Sequence, residues 1–255
     1  MNPSPQIRFF DNIYRPRTEQ PQISFQNFEH GTRVLSEEVE CDRYIALYGG
    51  HHFHKLYAAF PSTNFQYTEG KNVEIIDWGC GQALATCVLI DYFVEKQIKA
   101  NIKSITLVEP SSIALCRGYY FLRQMLQPNF SSQTVIRTVN KYMDYVNFND
   151  FISSNSNIKI HLFSNIIDVE GLDLNKLYNL IINSFQGINR LICTSPYNPN
   201  RQRLDNFYNL FREYPLVTNK FHSDEAIYKE VFKVSSGRFE KSKITRYERQ
   251  FTIKL

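Results

Sequence analysis

The sequence predicts an α/β fold: a seven-stranded, mostly parallel sheet with helices on both faces, preceded by a small N-terminal helical extension. Three observations carry that expectation. From Val73 onward, short β-branched runs alternate with longer apolar segments of helical period, the pattern of strand–helix units that build a parallel sheet. The first run ends in Asp77-Trp78-Gly79-Cys80-Gly81, where two glycines let a strand turn sharply into a helix. The C-terminal stretch then reads as two strands with no helix between them.

Taken in order, residues 1–34 hold Pro3, Pro5, Pro16 and Pro21 among polar residues without a sustained period. They read as an irregular arm, because proline fixes φ and lacks a backbone donor. A helix is expected from Leu35 to Tyr48, broken by Gly49 and Gly50, and a second short one from His51 to Phe60, before Pro61. Residues 1–69 are thus an arm and helical cap, and residues 70–255 the main domain. Val73 to Asp77 is the first buried strand, and Gln82 to Lys99 an almost wholly apolar helix. Ser104 to Val108 and Gln133 to Val139 are the next two strands. Between them lies a helix from Ser111 to Leu126 with Pro110 and serine at its start. A short helix follows near Met143 to Phe151, then a fourth strand from Ile158 to Phe163. Leu174, Leu177, Ile181 and Phe185 mark one face of a helix. Arg190 to Thr194 is the fifth strand, and Leu204, Phe207 and Phe211 mark the helix after it. Tyr228 to Val234 and Arg246 to Leu255 are expected as strands around Ser235-Ser236-Gly237, able to add an antiparallel strand to the sheet.

Composition narrows the class. A net charge of +4 and a pI near 8.7 lean only slightly toward an anionic partner such as nucleic acid, and a solvated, slightly basic surface is the better account of them. Five cysteines without C-x-x-C spacing exclude a zinc or redox motif, and Cys87 and Cys116 read as small buried hydrophobes in helices. No charged start followed by an apolar run marks a signal peptide, and no apolar run is long enough to span a membrane. A cytoplasmic protein is expected.

The chemistry is read from the strand ends, because ligands of open α/β sheets bind outside the carboxyl ends of their strands. Besides the glycine turn, Glu109 ends the second strand, where a carboxylate can accept hydrogen bonds from two ribose hydroxyls. A dinucleotide fingerprint needs a third glycine where Leu84 stands, so that cofactor class fails. Asp77-x-Gly79-x-Gly81 with Glu109 instead resembles motifs I and II of class I S-adenosylmethionine (SAM)-dependent methyltransferases, over residues 72–255. The resemblance implies a Rossmann-like methyltransferase fold and SAM as cofactor. It implies that Asp77, Gly79, Cys80 and Gly81 lie at the methionine end, Glu109 at the ribose, and Met143 and Asp144 beside adenine. The sequence departs from the family at Ala83, where a further glycine often stands.

The loop after the fourth strand faces the transferred methyl in that family. Ser164, Asn165 and Asp168 are therefore the candidate catalytic residues, able to bind or deprotonate a nucleophile, or simply to satisfy backbone groups. Ser195-Pro196-Tyr197-Asn198 resembles the motif of amino-methylating enzymes but lacks its second proline and follows the wrong strand; it reads as a turn. His51, His52 and His54 would point to different faces of a helix, so no metal is expected. Tyr48, His51 and Lys55 instead read as substrate contacts from a helix that lids the pocket. Arg238, Lys241, Lys243, Arg246, Arg249 and Lys254 have the makings of phosphate contacts, but Arg249, Phe251 and Ile253 alternate as on a half-buried strand, which is the better account. The expected activity is methyl transfer from SAM to an acceptor, with a lean to RNA or DNA. The competing expectation is a catalytically inert SAM-fold scaffold.

Overall fold

The fold is taken from a computed structural model, which describes residues 6–19, 33–126, 133–223 and 225–255, with backbone alone for 216–223. Two short helical segments open the chain, a π-helical turn Phe9–Tyr14 and α1 (Arg15–Thr18), and α2 (Glu38–Ala59) follows. The strands are β1 (Asn72–Trp78), β2 (Asn101–Val108), β3 (Val135–Val139), β4 (Ile158–Ser164), β5 (Ile188–Ser195), β6 (Leu216–Ser223), β7 (Ala226–Lys233), β8 (Arg238–Thr245) and β9 (Tyr247–Lys254). The remaining helices are α3 (Leu84–Glu95), α4 (Ser112–Met125), α5 (Leu174–Ser184) and α6 (Arg203–Leu210).

Seven strands form one sheet in the order β3-β2-β1-β4-β5-β9-β6, with β9 antiparallel to both neighbours. This is the seven-stranded, mostly parallel sheet that the sequence predicts. Side chains alternate between its faces as strand geometry requires. Ile75, Leu107, Ile160 and Leu162 pack with Leu84, Val88, Phe93 and Leu122 of α3 and α4. Ile76, Trp78, Phe163 and Phe251 pack on the other side with Leu177, Ile181, Phe207 and Phe211 of α5, α6 and the turn after it. Helices on both faces leave the ligand-binding edge as the carboxyl ends of the parallel strands.

Five expectations need correction. The arm is not irregular throughout: Phe9, Ile13 and Tyr14 are buried in the same apolar cluster as β1 and α3. Gly49 and Gly50 do not break α2. A Cβ at Gly50 would stand 2.5 Å from the Tyr14 hydroxyl and one at Gly49 2.9 Å from a Tyr14 ring carbon, so glycine serves helix-to-helix contact rather than a turn. The strand at Tyr228 to Val234 belongs to a separate hairpin, β7–β8, whose Phe232 N–H donates to the Tyr14 hydroxyl at 3.1 Å; β6 supplies the main sheet's seventh strand. Lastly, β9 is buried on both faces, not one. Arg249 and Tyr247 bond Asp205 of α6 at 2.5 Å on one side, and Gln250 donates to the Ala59 carbonyl at 2.9 Å on the other. Cys116 is also exposed, whereas Cys87 is buried.

Candidate functional site

Strand register builds the site. Trp78 pairs with Val108 of β2 and with Phe163 of β4, and Ser164 pairs with Thr194 of β5. The residues that follow these strands, Gly79, Glu109 and Asn165, therefore emerge side by side at one edge. There they surround a cavity of about 320 Å³, within the range of small-molecule and cofactor sites.

The glycine loop forms one wall. Gly79 has φ +59°, and a Cβ there would stand 2.8 Å from Ile166 Cδ1. Gly81 has φ +52°, and a Cβ there would meet nothing within 4 Å, so its backbone is open to a ligand. Ala83, the departure from the family pattern, takes the same left-handed conformation at φ +57°. The loop is braced from outside. Gln82 Nε2 donates to the Cys41 carbonyl on α2 at 2.9 Å, and Arg117 of α4 donates to Gln82 Oε1 at 2.9 Å and pairs with Glu38 and Asp42. Gly118, one residue on, lets α4 touch the loop backbone.

Glu109 stands opposite. Its Oε2 accepts the Gly81 N–H at 2.9 Å and its Oε1 the Ser111 N–H at 3.0 Å. Burial raises its pKa, while those two N–H groups pull it back. A carboxylate offers about four acceptor positions, so two remain for hydroxyls of a ligand. Tyr44 of α2 lines the same wall, its phenol pKa raised by burial and then by Glu109. Met143 and Asp144 form the far end on a loop held by a Lys141–Asp150 ion pair (2.6 Å) and by Lys176 Nζ donating to the Asp144 carbonyl at 2.5 Å. Ser164 and Asn165 close the cavity beneath, and Ser164 Oγ is buried with no hydrogen-bond partner among the described residues.

Seven of the expected site residues thus line one cavity: Gly79, Gly81, Glu109, Met143, Asp144, Ser164 and Asn165. The others do not reach its wall. The Asp77 carboxylate points into the start of α3, accepting from Thr86 N at 3.1 Å and Thr86 Oγ1 at 2.7 Å, and burial raises its pKa to about 7. Cys80 is buried beside it, its thiol pushed up by burial. Asp168 ties the β4 and β5 loops, accepting from Ser195 Oγ at 2.7 Å and Asn198 Nδ2 at 2.5 Å. Tyr48, His51 and Lys55 also stand off the wall. His51 is held low, to about 4, by burial and then by Lys233, so it faces the β7–β8 side. The histidine that does reach the strand ends is His52, whose Nε2 lies 2.7 Å from Asn165 Nδ2. Tyr44 went unseen in the sequence, and His52 was weighed only as a metal ligand. With α2 continuous, Tyr44, Tyr48, His52 and Lys55 fall four, eight and eleven residues along one helix face, a signal the supposed glycine break conceals.

No protein-family model and no curated protein matches the chain. Among solved structures it is similar to precorrin-6Y C5,15-methyltransferase from Geobacter metallireducens, at 12% identity over 76% of this chain and 86% of that one, with a TM-score of 0.47. It is also similar to a SAM-dependent O-methyltransferase from Thermotoga maritima, at 14% identity over 78% and 64%, TM-score 0.45. A third is precorrin 8w decarboxylase from Methanobacterium thermoautotrophicum, at 10% identity over 78% and 89%, TM-score 0.46. Likeness at this level does not carry an activity, and the functional reading rests on the cavity. Among the described residues there is no cluster of potential metal ligands and no helix long and apolar enough to cross a membrane.

Proposed function

We propose that the chain is a SAM-dependent methyltransferase whose cofactor occupies this cavity, with nucleic acid as acceptor. The observation that carries the reading is the pairing of Glu109 with the Gly81 N–H in the cavity wall: a ribose-type carboxylate with spare acceptor capacity beside a backbone kept free of Cβ atoms. The residues fit the group. Gly79 and Gly81 would lie along the amino-acid end, Glu109 at the ribose hydroxyls, Met143 beside the adenine ring, and Ser164 Oγ would gain the partner it lacks.

SAM, when bound, supplies a methyl already activated on sulfonium. The chain's own work is then to align a nucleophile in line with that methyl and to exclude water. No acid–base triad is needed. The acceptor reading draws on Tyr142, Tyr145 and Phe148, exposed rings on the loop that carries Met143, where bases can stack. It does not draw on Arg246 and Arg249, which pair with Glu248 at 2.6 Å and with Asp205 inside the fold.

Radiolabelled methyl-SAM incubated with separate RNA, DNA, protein and metabolite pools tests the proposal. Label is expected in RNA or DNA. Label in protein or metabolites alone would refute the acceptor, and none in any pool would refute the enzyme and leave a binding scaffold.

A further inference from the structure

Asn165, the first residue after β4, is held more firmly than a loop residue needs to be. Its φ is +60°, a conformation few residues other than glycine adopt. Its backbone N–H donates to the Thr194 carbonyl of β5 at 2.9 Å. Its side-chain amide is gripped at both ends from α2: Oδ1 accepts from Lys55 Nζ, and Nδ2 donates to His52 Nε2 at 2.7 Å. Because an amide nitrogen only donates, His52 Nε2 must be the acceptor and its proton must sit on Nδ1. Burial keeps that imidazole neutral by lowering its pKa, with Lys55 and His51 adding to the effect.

Stability does not account for this arrangement. Lys55 is 3% exposed, and among the described residues no carboxylate pairs with it. The two acids that act on it through space make their bonds elsewhere: Asp168 accepts through Oδ2 from Ser195 and Asn198, and Glu248 is bonded by Arg246 and Gln250. An apolar side chain of the same length would be cheaper to bury than a lysine whose one hydrogen bond among the described residues goes to a neutral amide.

An amide has two oxygen lone pairs and two N–H groups. Lys55 and His52 take one of each, which leaves one lone pair and one N–H on a residue that lines the cavity. Ser164, the residue before it, lines the same cavity, and its Oγ is buried and unpartnered among the described residues.

We infer that Lys55 and His52 are positioning residues that fix the Asn165 amide as the hydrogen-bond acceptor for the incoming nucleophile. This rests on the reading of the cavity as a SAM site. It also names the acceptor class: a nitrogen or oxygen nucleophile that still carries hydrogen, donated to Asn165 Oδ1 so that its lone pair aims at the methyl. On transfer the nucleophile–methyl bond forms, the methyl–sulfur bond breaks with its electron pair left on sulfur, and the acceptor's proton leaves to water.

The test compares two ligands by titration calorimetry at about pH 8, above the value near 7 to which burial lowers Lys55. S-adenosylhomocysteine has nothing where SAM carries its methyl; sinefungin places an amine there, and so mimics the acceptor's N–H. The wild type is expected to prefer sinefungin by about tenfold, the worth of one hydrogen bond involving a charged group. That preference should vanish in Asn165→Ala and Lys55→Met, and in Lys55→Met, which lies off the cavity wall, S-adenosylhomocysteine binding should stay unchanged as evidence of an intact cofactor site. His52→Phe, which keeps a ring against Tyr48, should reduce it and guards against a folding defect in Lys55→Met. A preference unaltered in Lys55→Met and His52→Phe overturns the positioning role. No preference in the wild type overturns the placement of Asn165 at the methyl. Failure of the wild type to bind either ligand instead overturns the SAM reading on which the inference rests.

Discussion

Gly118→Ala asks whether α4 truly braces the glycine loop. In an ordinary helix interior, glycine to alanine is stabilising by about 1 kcal/mol. Here the added Cβ would stand 2.8 Å from the Gln82 carbonyl carbon, 2.9 Å from Ala83 Cβ and 3.0 Å from Ala83 N. None of these is the tip of a flexible side chain, so the helix or the loop must move. Overpacking of this kind costs about 1–3 kcal/mol, which outweighs the helix gain and leaves a net loss of about 1 kcal/mol. For a chain of this size that is a fall in Tm of about 2–4 °C. The displaced segment also carries Gly81 N–H, the donor to Glu109, so SAM affinity should fall about tenfold. Thermal melts and calorimetry measure both. A variant more stable than the wild type, with unchanged affinity, would refute the account of α4 as a brace.

Two further predictions follow the same contacts. Ala83→Gly relieves a left-handed alanine, worth about 1–2 kcal/mol, less the added freedom of the unfolded chain; urea denaturation should show a gain of up to about 1 kcal/mol. The gain should be larger by at least about 0.5 kcal/mol in Gly118→Ala, since Ala83 Cβ is one of the clashing atoms, and strict additivity would contradict that. Asp77 titrates in an unusual window. Burial raises its carboxyl from 3.8 to about 7, so the folded state favours the protonated form, and the stability this provides is complete below 3.8 and lost as pH rises through about 7. Asp77→Asn cannot titrate, so its stability relative to the wild type should rise across that window by up to about 4 kcal/mol; a difference that is flat with pH would contradict the assignment.

What the sequence disclosed depended on how local its signal was. The β-branched runs of β1, β2, β4 and β5 and the helical periods of α5 and α6 are written in consecutive residues, and each formed within a few residues of expectation. Glu109 and the glycine turn were legible because backbone room and a strand-end acid are local demands. The misreadings came from partners far along the chain. Gly49 and Gly50 looked like breakers because the cause of their presence, the Tyr14 side chain, lies some thirty-five residues earlier. Likewise β9 looked half-exposed because Ala59 and Thr63, which cover its second face, come from the other end of the chain. Asp77 looked like a ligand group; only Thr86, one helical turn into α3, shows where its carboxylate goes. The Lys55–Asn165–His52 grip spans 110 residues and has no sequence signature.

The most direct measurement is titration calorimetry of SAM into the purified protein, with Gly81→Arg and Glu109→Gln alongside. A Cβ at Gly81 would have no atoms within 4 Å, so arginine there would fill the cavity rather than strike the core. The account predicts SAM binding on the order of micromolar in the wild type, abolished in Gly81→Arg and weakened about tenfold in Glu109→Gln, with all three proteins folded. No binding by a well-folded wild type, or binding undiminished in Gly81→Arg, would contradict it.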